Sequence, residues 1–137
     1  MALTIRGVEY FKCVVKDRPG EAYQVLARLS GKDVNLLVFS AIPLDSDHTE
    51  LVLFPEDGDV LTSAAEREGL VLTGPQRALL IQGDDHLGAL ADVHARLVDR
   101  RINVYASSGV TDGRGGFGYV IYVRPEDYQN AANALGA

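Results

Sequence analysis

Two short constellations have the residue types to hold a small molecule carrying both a carboxylate and an ammonium group. Asp17-Arg18-Pro19-Gly20 and Asp85-His86-Leu87-Gly88 each set an aspartate shortly before a glycine, and Asn35 and Asn103 follow at the same spacing. Where such a loop opens a helix, the first-turn amides lack intrahelical partners and carry partial positive charge, which suits a carboxylate. Glycine at that turn lets a ligand approach the backbone closely. An ammonium group wants a carboxylate or amide oxygen, available from Asp17 or Asn35 and again from Asp85 or Asn103. A structural reading competes: Asp17 and Asp85 cap their helices, and Pro19-Gly20 is a rigid turn. The paired loop and asparagine, occurring twice, bring the ligand reading level with it. The copies differ. Leu87 replaces Pro19, Glu21 would compete with a ligand carboxylate in the first helical turn, and Ala89 leaves the equivalent place open, although Asp84 adds negative charge nearby. The second copy is therefore expected to be the better site.

The elements that position these loops repeat as well. A shift of 68 residues aligns Asp17 with Asp85, Gly20 with Gly88, Val25 with Val93, Ala27-Arg28-Leu29 with Ala95-Arg96-Leu97, and Asn35 with Asn103. A shift of 70 aligns Pro55-Glu56-Asp57 with Pro125-Glu126-Asp127. Two domains are expected, 1–74 and 75–137, meeting at the turn-like Thr73-Gly74-Pro75. Alternation predicts strands over 10–16, 34–42, 51–54 and 70–72, with helices from Gly20 to Gly31 and over 59–68. The second domain repeats the plan with strands over 78–82, 102–107 and 119–123. Its helices are 87–100, buried through Leu90, Val93, His94 and Leu97, and 126–135, buried through Tyr128, Ala131, Ala132 and Leu135. No residues remain there for a fourth strand, so either that sheet is one strand short or residues 3–7 supply its edge. Asp85 and Asn103 are expected to converge on one pocket beside helix 87–100, with the strands carrying them taken as neighbours.

A strand, Asp17-Arg18-Pro19-Gly20, a helix, Val34-Asn35 and a strand hairpin resemble the ACT domain, and Asp85-His86-Leu87-Gly88 with Ile102-Asn103 carries the likeness again. The resemblance implies an α+β chain of two ferredoxin-like βαββαβ domains with antiparallel sheets. It is most similar to the regulatory domain of phosphoglycerate dehydrogenase, whose corresponding loop and asparagine hold serine. It further implies a non-catalytic tandem ACT protein, a sensor that binds an amino acid and regulates a metabolic enzyme. The ligand-binding residues carried over are Asp17, Arg18, Pro19, Gly20, Asn35, Asp85, His86, Leu87, Gly88, Ala89 and Asn103. No cofactor or metal is expected. Strands apolar on both faces, Leu36-Leu37-Val38-Phe39 and Val120-Ile121-Tyr122-Val123, need cover on the second face, so at least a homodimer is expected.

Composition narrows the alternatives. The 137 residues are 47% hydrophobic and 23% charged, the make-up of an ordinary globular chain of one medium domain or two very small ones. Thirteen basic residues against nineteen acidic ones give a net charge of −6, which repels nucleic acid and anionic membranes unless basic groups segregate. Cys13 permits no internal disulfide, no run approaches the ~20 apolar residues of a membrane span, and the start does not resemble a secretion signal. The expectation is a soluble, cytoplasmic protein with no membrane partner.

Other motifs carry less. Gly113-Arg114-Gly115-Gly116-Phe117-Gly118 spells a dinucleotide fingerprint, but a strand follows where a helix is required. Gly116-Phe117-Gly118-Tyr119-Val120-Ile121-Tyr122 resembles the third-strand motif of RNA-recognition domains, with Phe117 and Tyr119 placed to stack bases. Gly115 where a basic residue is expected, the absence of an aromatic in Leu79-Leu80-Ile81, and the acidic charge oppose it. Single-stranded RNA binding is the alternative function, and a protein-interaction scaffold the third. His86 and His94 are too far apart for a helical ligand pair. Cys13 in a strand reads as core rather than nucleophile, and Arg96, Arg100 and Arg101 share their helix region with Asp92 and Asp99.

Overall fold

In the computed structural model, which describes residues 3–86 and 88–137, the chain is α+β. Its elements run β1 (Leu3–Lys16), α1 (Glu21–Ser30), β2 (Leu36–Pro43), β3 (His48–Pro55), α2 (Gly58–Glu68), β4 (Thr73–Asp84), α3 (Ala89–Asp99), β5 (Ala106–Thr111), β6 (Gly116–Tyr122) and α4 (Tyr128–Leu135). A single 3-10 turn over Pro125–Asp127 leads into α4. Two compact units result: Glu9–Gln76, and Met1–Val8 together with Arg77–Ala137. This division departs from 1–74 and 75–137 chiefly at the start of the chain, because β1 contributes residues to both units.

In the first unit β3 pairs antiparallel with β2 and with the later part of β1, Cys13 opposite Leu51 and Phe11 opposite Leu53. The residues alternating onto one face, Phe11, Cys13, Leu51 and Leu53, meet Val25 and Leu29 of α1 and Leu61 and Ala64 of α2 in one core. The spacing of Val25 and Leu29 is what makes α1 a helix with a single buried stripe. Residues 70–72 are not the fourth strand that their sequence suggests. Leu70 and Leu72 pack against this core, while the outer strand begins at Thr73. Thr73-Gly74-Pro75 therefore lies inside β4 rather than in an interdomain turn. Pro75 stands near the start of β4, before its pairing with β6 begins at Leu79, so its missing N–H is not needed on that side.

In the second unit β6 pairs with β4 and β5, both antiparallel, with Ile81 opposite Tyr119 and Gly109 opposite Tyr119. Leu79, Ile81, Tyr119 and Ile121 turn one face toward Val93 and Leu97 of α3 and Tyr128, Ala131 and Leu135 of α4. The strand that the second repeat lacks comes from the other end of the chain. The early part of β1 lies beside β4, and Ile5 packs against this core. Arg77 of β4 lies over the Tyr128 ring, 4.1 Å from its centroid. β5 starts at Ala106, later than the sequence suggests, because Ile102 and Val104 are used as irregular chain packed against the core.

The repeat is visible in backbone detail. Gly20 and Gly88 share a left-handed conformation, φ 88° and 84°, and so do Asp33 and Arg101, φ 62° and 57°. Val34 donates to the Leu29 carbonyl, and Ile102 to that of Leu97. Asp17 donates to Asp47, and Asp85 to Gly115. Gly31 is the C-cap of α1, as its place after the helix suggests, in right-handed backbone at φ −68°; the left-handed residue of this turn is Asp33.

Both hairpin tips are tied by an aspartate. Asp112 accepts from the backbone N–H of Arg114 at 2.6 Å and of Gly116 at 3.0 Å, and these bonds hold its carboxyl below the usual range. Asp45 accepts from Asp47 N–H and lies 3.0 Å from His48 Nδ1, with the same effect in that order of causes.

Two outcomes are expected. Ile5→Ala should cost about 2 kcal/mol, the low end for a core isoleucine, and hydrogen exchange should show lost protection over 78–82 and 119–121 before 51–54; equal loss in both would contradict the assignment of residues 3–8 to the second unit. In an NMR acid titration, Asp45 and Asp112 should titrate below the ~3.9 of a free aspartate. Because their folded values are depressed, their stabilisation of the hairpins is complete above that range and is lost as pH falls through the depressed values.

Candidate ligand-binding sites

Each repeated loop ends in a glycine that caps a helix without help from any side chain. Gly20 precedes α1 and Gly88 precedes α3, and neither helix start receives a side-chain cap hydrogen bond. Asp17 and Asp85 are thus not the N-caps of these helices, which removes the structural reading offered for them. Left-handed backbone forces this arrangement: at φ near +85° a residue with a Cβ is strained, so the cap position falls to glycine. By contrast, Asp57 at the start of α2 accepts from Asp59 and Val60 N–H, the conventional solution.

In the second unit a cleft of about 700 Å³ opens at the start of α3. Asp85, His86, Gly88 and Ala89 line it, all four named from the sequence. Leu87 lies outside the described residues. Across the cleft stand Gly109, Val110 and Thr111 of β5 and Phe117 and Gly118 of β6, with Leu90 and Ala91 continuing the helix side. Ala89 N–H donates to the His86 carbonyl at 3.2 Å and closes the loop, and His86 Nδ1 lies 3.2 Å from the Asp84 carbonyl oxygen. Asp85 is fixed through its backbone N–H, which donates to Gly115 at 2.7 Å and ties the loop to the β5–β6 hairpin.

Asn103 does not line this cleft. The expected convergence with Asp85 fails for a topological reason: β4 and β5 both pair antiparallel with β6 and so run the same way. Asp85 follows the end of β4 while Asn103 precedes the start of β5, which puts them at opposite ends of the sheet, with β6 between the two strands. Asn103 is exposed in the irregular stretch before β5. Asn35 has a local task instead. Its Nδ2 donates to Glu56 Oε2 at 2.6 Å while its carbonyl accepts from Glu56 N–H at 2.8 Å.

The first-unit loop borders a smaller pocket of about 380 Å³, lined by Lys16, Asp17, Arg18, Asp47 and His48. Pro19 and Gly20 complete the loop without lining it. Glu21 sits in the first turn of α1 and pairs with Arg18 at 3.8 Å.

The aromatic pair expected to offer a stacking surface is used otherwise. Tyr119 is buried in the core under α3, and its hydroxyl lies 2.6 Å from His94 Nε2. Phe117 packs against the same core. Both rings lie on the helix-covered face, which overturns the base-stacking arrangement. His94 is a core-margin partner of Tyr119, and Cys13 is buried, with burial pushing its thiol up. Among the described residues no group of three or more His, Cys, Asp or Glu side chains is placed to hold a metal ion, and no helix is long and apolar enough to cross a membrane.

The far wall of the cleft was not read from the sequence. Glycines within strands, Gly109 and Gly118, were the available signal, since strand glycines often mark a close approach. At Gly109 the reason is visible: a Cβ there would come within 2.9 Å of the Tyr119 ring.

No family model and no curated protein matches the sequence. Solved structures do match in fold. A protein of Bacteroides thetaiotaomicron is 17% identical, with 96% of this chain and 88% of that one covered and a TM-score of 0.81. The ligand-free regulatory subunit of aspartate kinase from Thermus thermophilus is 13% identical over 98% of this chain and 94% of its own, TM-score 0.63. Its counterpart from Thermus flavus has the same identity and coverage, TM-score 0.59. At these identities the likeness is one of fold.

A Cβ at either cap would meet no atom within 4 Å, so substitution there tests backbone strain alone. Gly20→Ala and Gly88→Ala should each destabilise by about 1–2 kcal/mol, measured by urea unfolding; a neutral Gly88→Ala would contradict the left-handed cap.

Proposed function

We propose that this chain is a non-catalytic regulatory module of the tandem ACT type that binds an amino acid in the second-unit cleft. The observation that carries the reading is the glycine cap of α3: a helix start that receives no side-chain cap hydrogen bond, facing a cleft that Asp85 also lines. The α-carboxylate is received by the first-turn amides after Ala89, whose own N–H donates to His86, and by the positive end of the helix. Asp85 takes the ammonium group. The resemblance of the two loops to ACT domains and the fold shared with aspartate kinase regulatory subunits support the same reading.

Regulation then follows by population shift. A ligand held between the Asp85 loop and the β5–β6 hairpin favours whichever arrangement keeps those two apposed. A metabolic enzyme, cytoplasmic like the module itself, is the proposed recipient of that signal. Self-association as a homodimer is part of the proposal, because β2 is an edge strand that leaves Phe39 and Ile42 exposed.

A thermal-shift screen over the amino acids tests the reading. A ligand at 100 times its dissociation constant adds about 2.7 kcal/mol, a rise of a few degrees in Tm for a chain of this size. Asp85→Ala should weaken the best ligand by at least about tenfold, the worth of a hydrogen bond to a charged group. Asn103→Ala should leave affinity unchanged. A melt that no amino acid shifts, but that oligoribonucleotides do, would transfer the protein to the RNA-binding class.

A further inference from the structure

The two repeats have kept the same loop backbone and surrounded it with different chemistry. All five residues lining the first-unit pocket are charged or ionisable, two of them aspartates and three of them bases. The second-unit cleft has, among the described residues lining it, Asp85 as its one carboxylate and no lysine or arginine. Its remaining polar side chains are His86 and Thr111. Its apolar side chains are Leu90 and Phe117, with alanines and glycines between them; Val110 pairs with Gly118, so its side chain points to the opposite face of the sheet from Phe117. Leu90 is 39% exposed and Phe117 is half-buried.

We infer that the second-unit cleft selects amino acids with an uncharged, apolar side chain. The inference rests on the amino-acid reading given above and goes further by naming the class. Charge counting excludes the charged alternatives. Once the α-carboxylate lies at the helix start and the ammonium group at Asp85, a second carboxylate on the ligand would find no lysine or arginine and would face Asp85. A second cation would compete with the ammonium group for the same single carboxylate. An apolar side chain meets Leu90 and Phe117 and takes their exposed surface out of water, which is the favourable direction for both. The first-unit pocket has no such wall, so the selectivity belongs to the second copy alone.

Calorimetric titration of the whole chain with leucine, isoleucine, valine and phenylalanine, against aspartate, lysine and serine, tests this. The best apolar ligand should bind at least roughly tenfold tighter than any of the three polar ones, the scale on which a hydrophobic pocket discriminates. Leu90→Ser removes apolar wall at an exposed position, Val110→Ser changes only the far face of the sheet, and the melting of the free variants reports that they fold. Leu90→Ser should weaken the apolar ligand several-fold while leaving the weak polar ones unchanged, and Val110→Ser should change neither. If aspartate, lysine or serine binds tightest, the class named here is wrong while the amino-acid site stands. If an apolar ligand binds but Leu90→Ser does not affect it, the ligand sits elsewhere and the inference falls. If no amino acid binds at all, the functional reading fails and this inference with it.

Discussion

The second unit depends on one constraint: a βαββαβ sheet needs a strand beside its first, and here that strand is β1. The early part of β1 fills the place, so a strand at the beginning of the chain completes a unit built mostly from its last sixty or so residues. Without it, Ile5 would leave the core that Leu79, Ile81 and Tyr128 share, and β4 would present an open edge. β1 can serve in this way because it is long, 14 residues, with its later part paired to β3. β4 divides in the same manner, its first residues closing the first unit and the rest opening the second.

On this scaffold the candidate site is set by backbone conformation more than by side-chain chemistry. A glycine in left-handed geometry starts α3 and puts no side chain over its first turn. The loop before it is tied to the opposite hairpin by a backbone bond from Asp85 to Gly115. Gly109 then admits the Tyr119 ring beneath the β5 wall, and Tyr119 reaches His94 on α3. Helix and hairpin, the two walls of the cleft, are thus connected at its mouth and again in the core below it. A ligand bridging the walls would act on parts that are already coupled.

The two copies show how a duplicated backbone can outlast duplicated chemistry. The positive-φ positions, the backbone bonds after each helix and the loop-to-hairpin bonds recur 68 residues apart. The side chains around them do not. Glu21 engages Arg18 where Ala89 leaves the helix start clear, and Asn35 is held by Glu56 where Asn103 stands exposed. Backbone geometry is fixed by sterics and ladder hydrogen bonding, which tolerate many side chains, whereas a binding surface changes with each substitution.

By itself the sequence determined the element types, the repeat, the glycine at each helix start and the buried stripe of α4 through Tyr128, Ala131, Ala132 and Leu135. These are local properties, written in the 3.6 and 2.0 periods of helix and strand and in the special freedom of glycine. Asp85, His86, Gly88 and Ala89 were legible for the same reason, being consecutive along one loop. Only the tertiary structure decided which strand lies between which: β6 separates β4 from β5, and Asp85 after the end of β4 and Asn103 before the start of β5 lie at opposite ends of that sheet. It also supplied the far wall of the cleft, turned Phe117 and Tyr119 toward the helices, and drew residues 3–8 to the unit at the other end of the chain. Strand order follows from pairing between distant segments, in which each strand has two edges to offer, and the period of a single strand carries no record of which neighbour takes them.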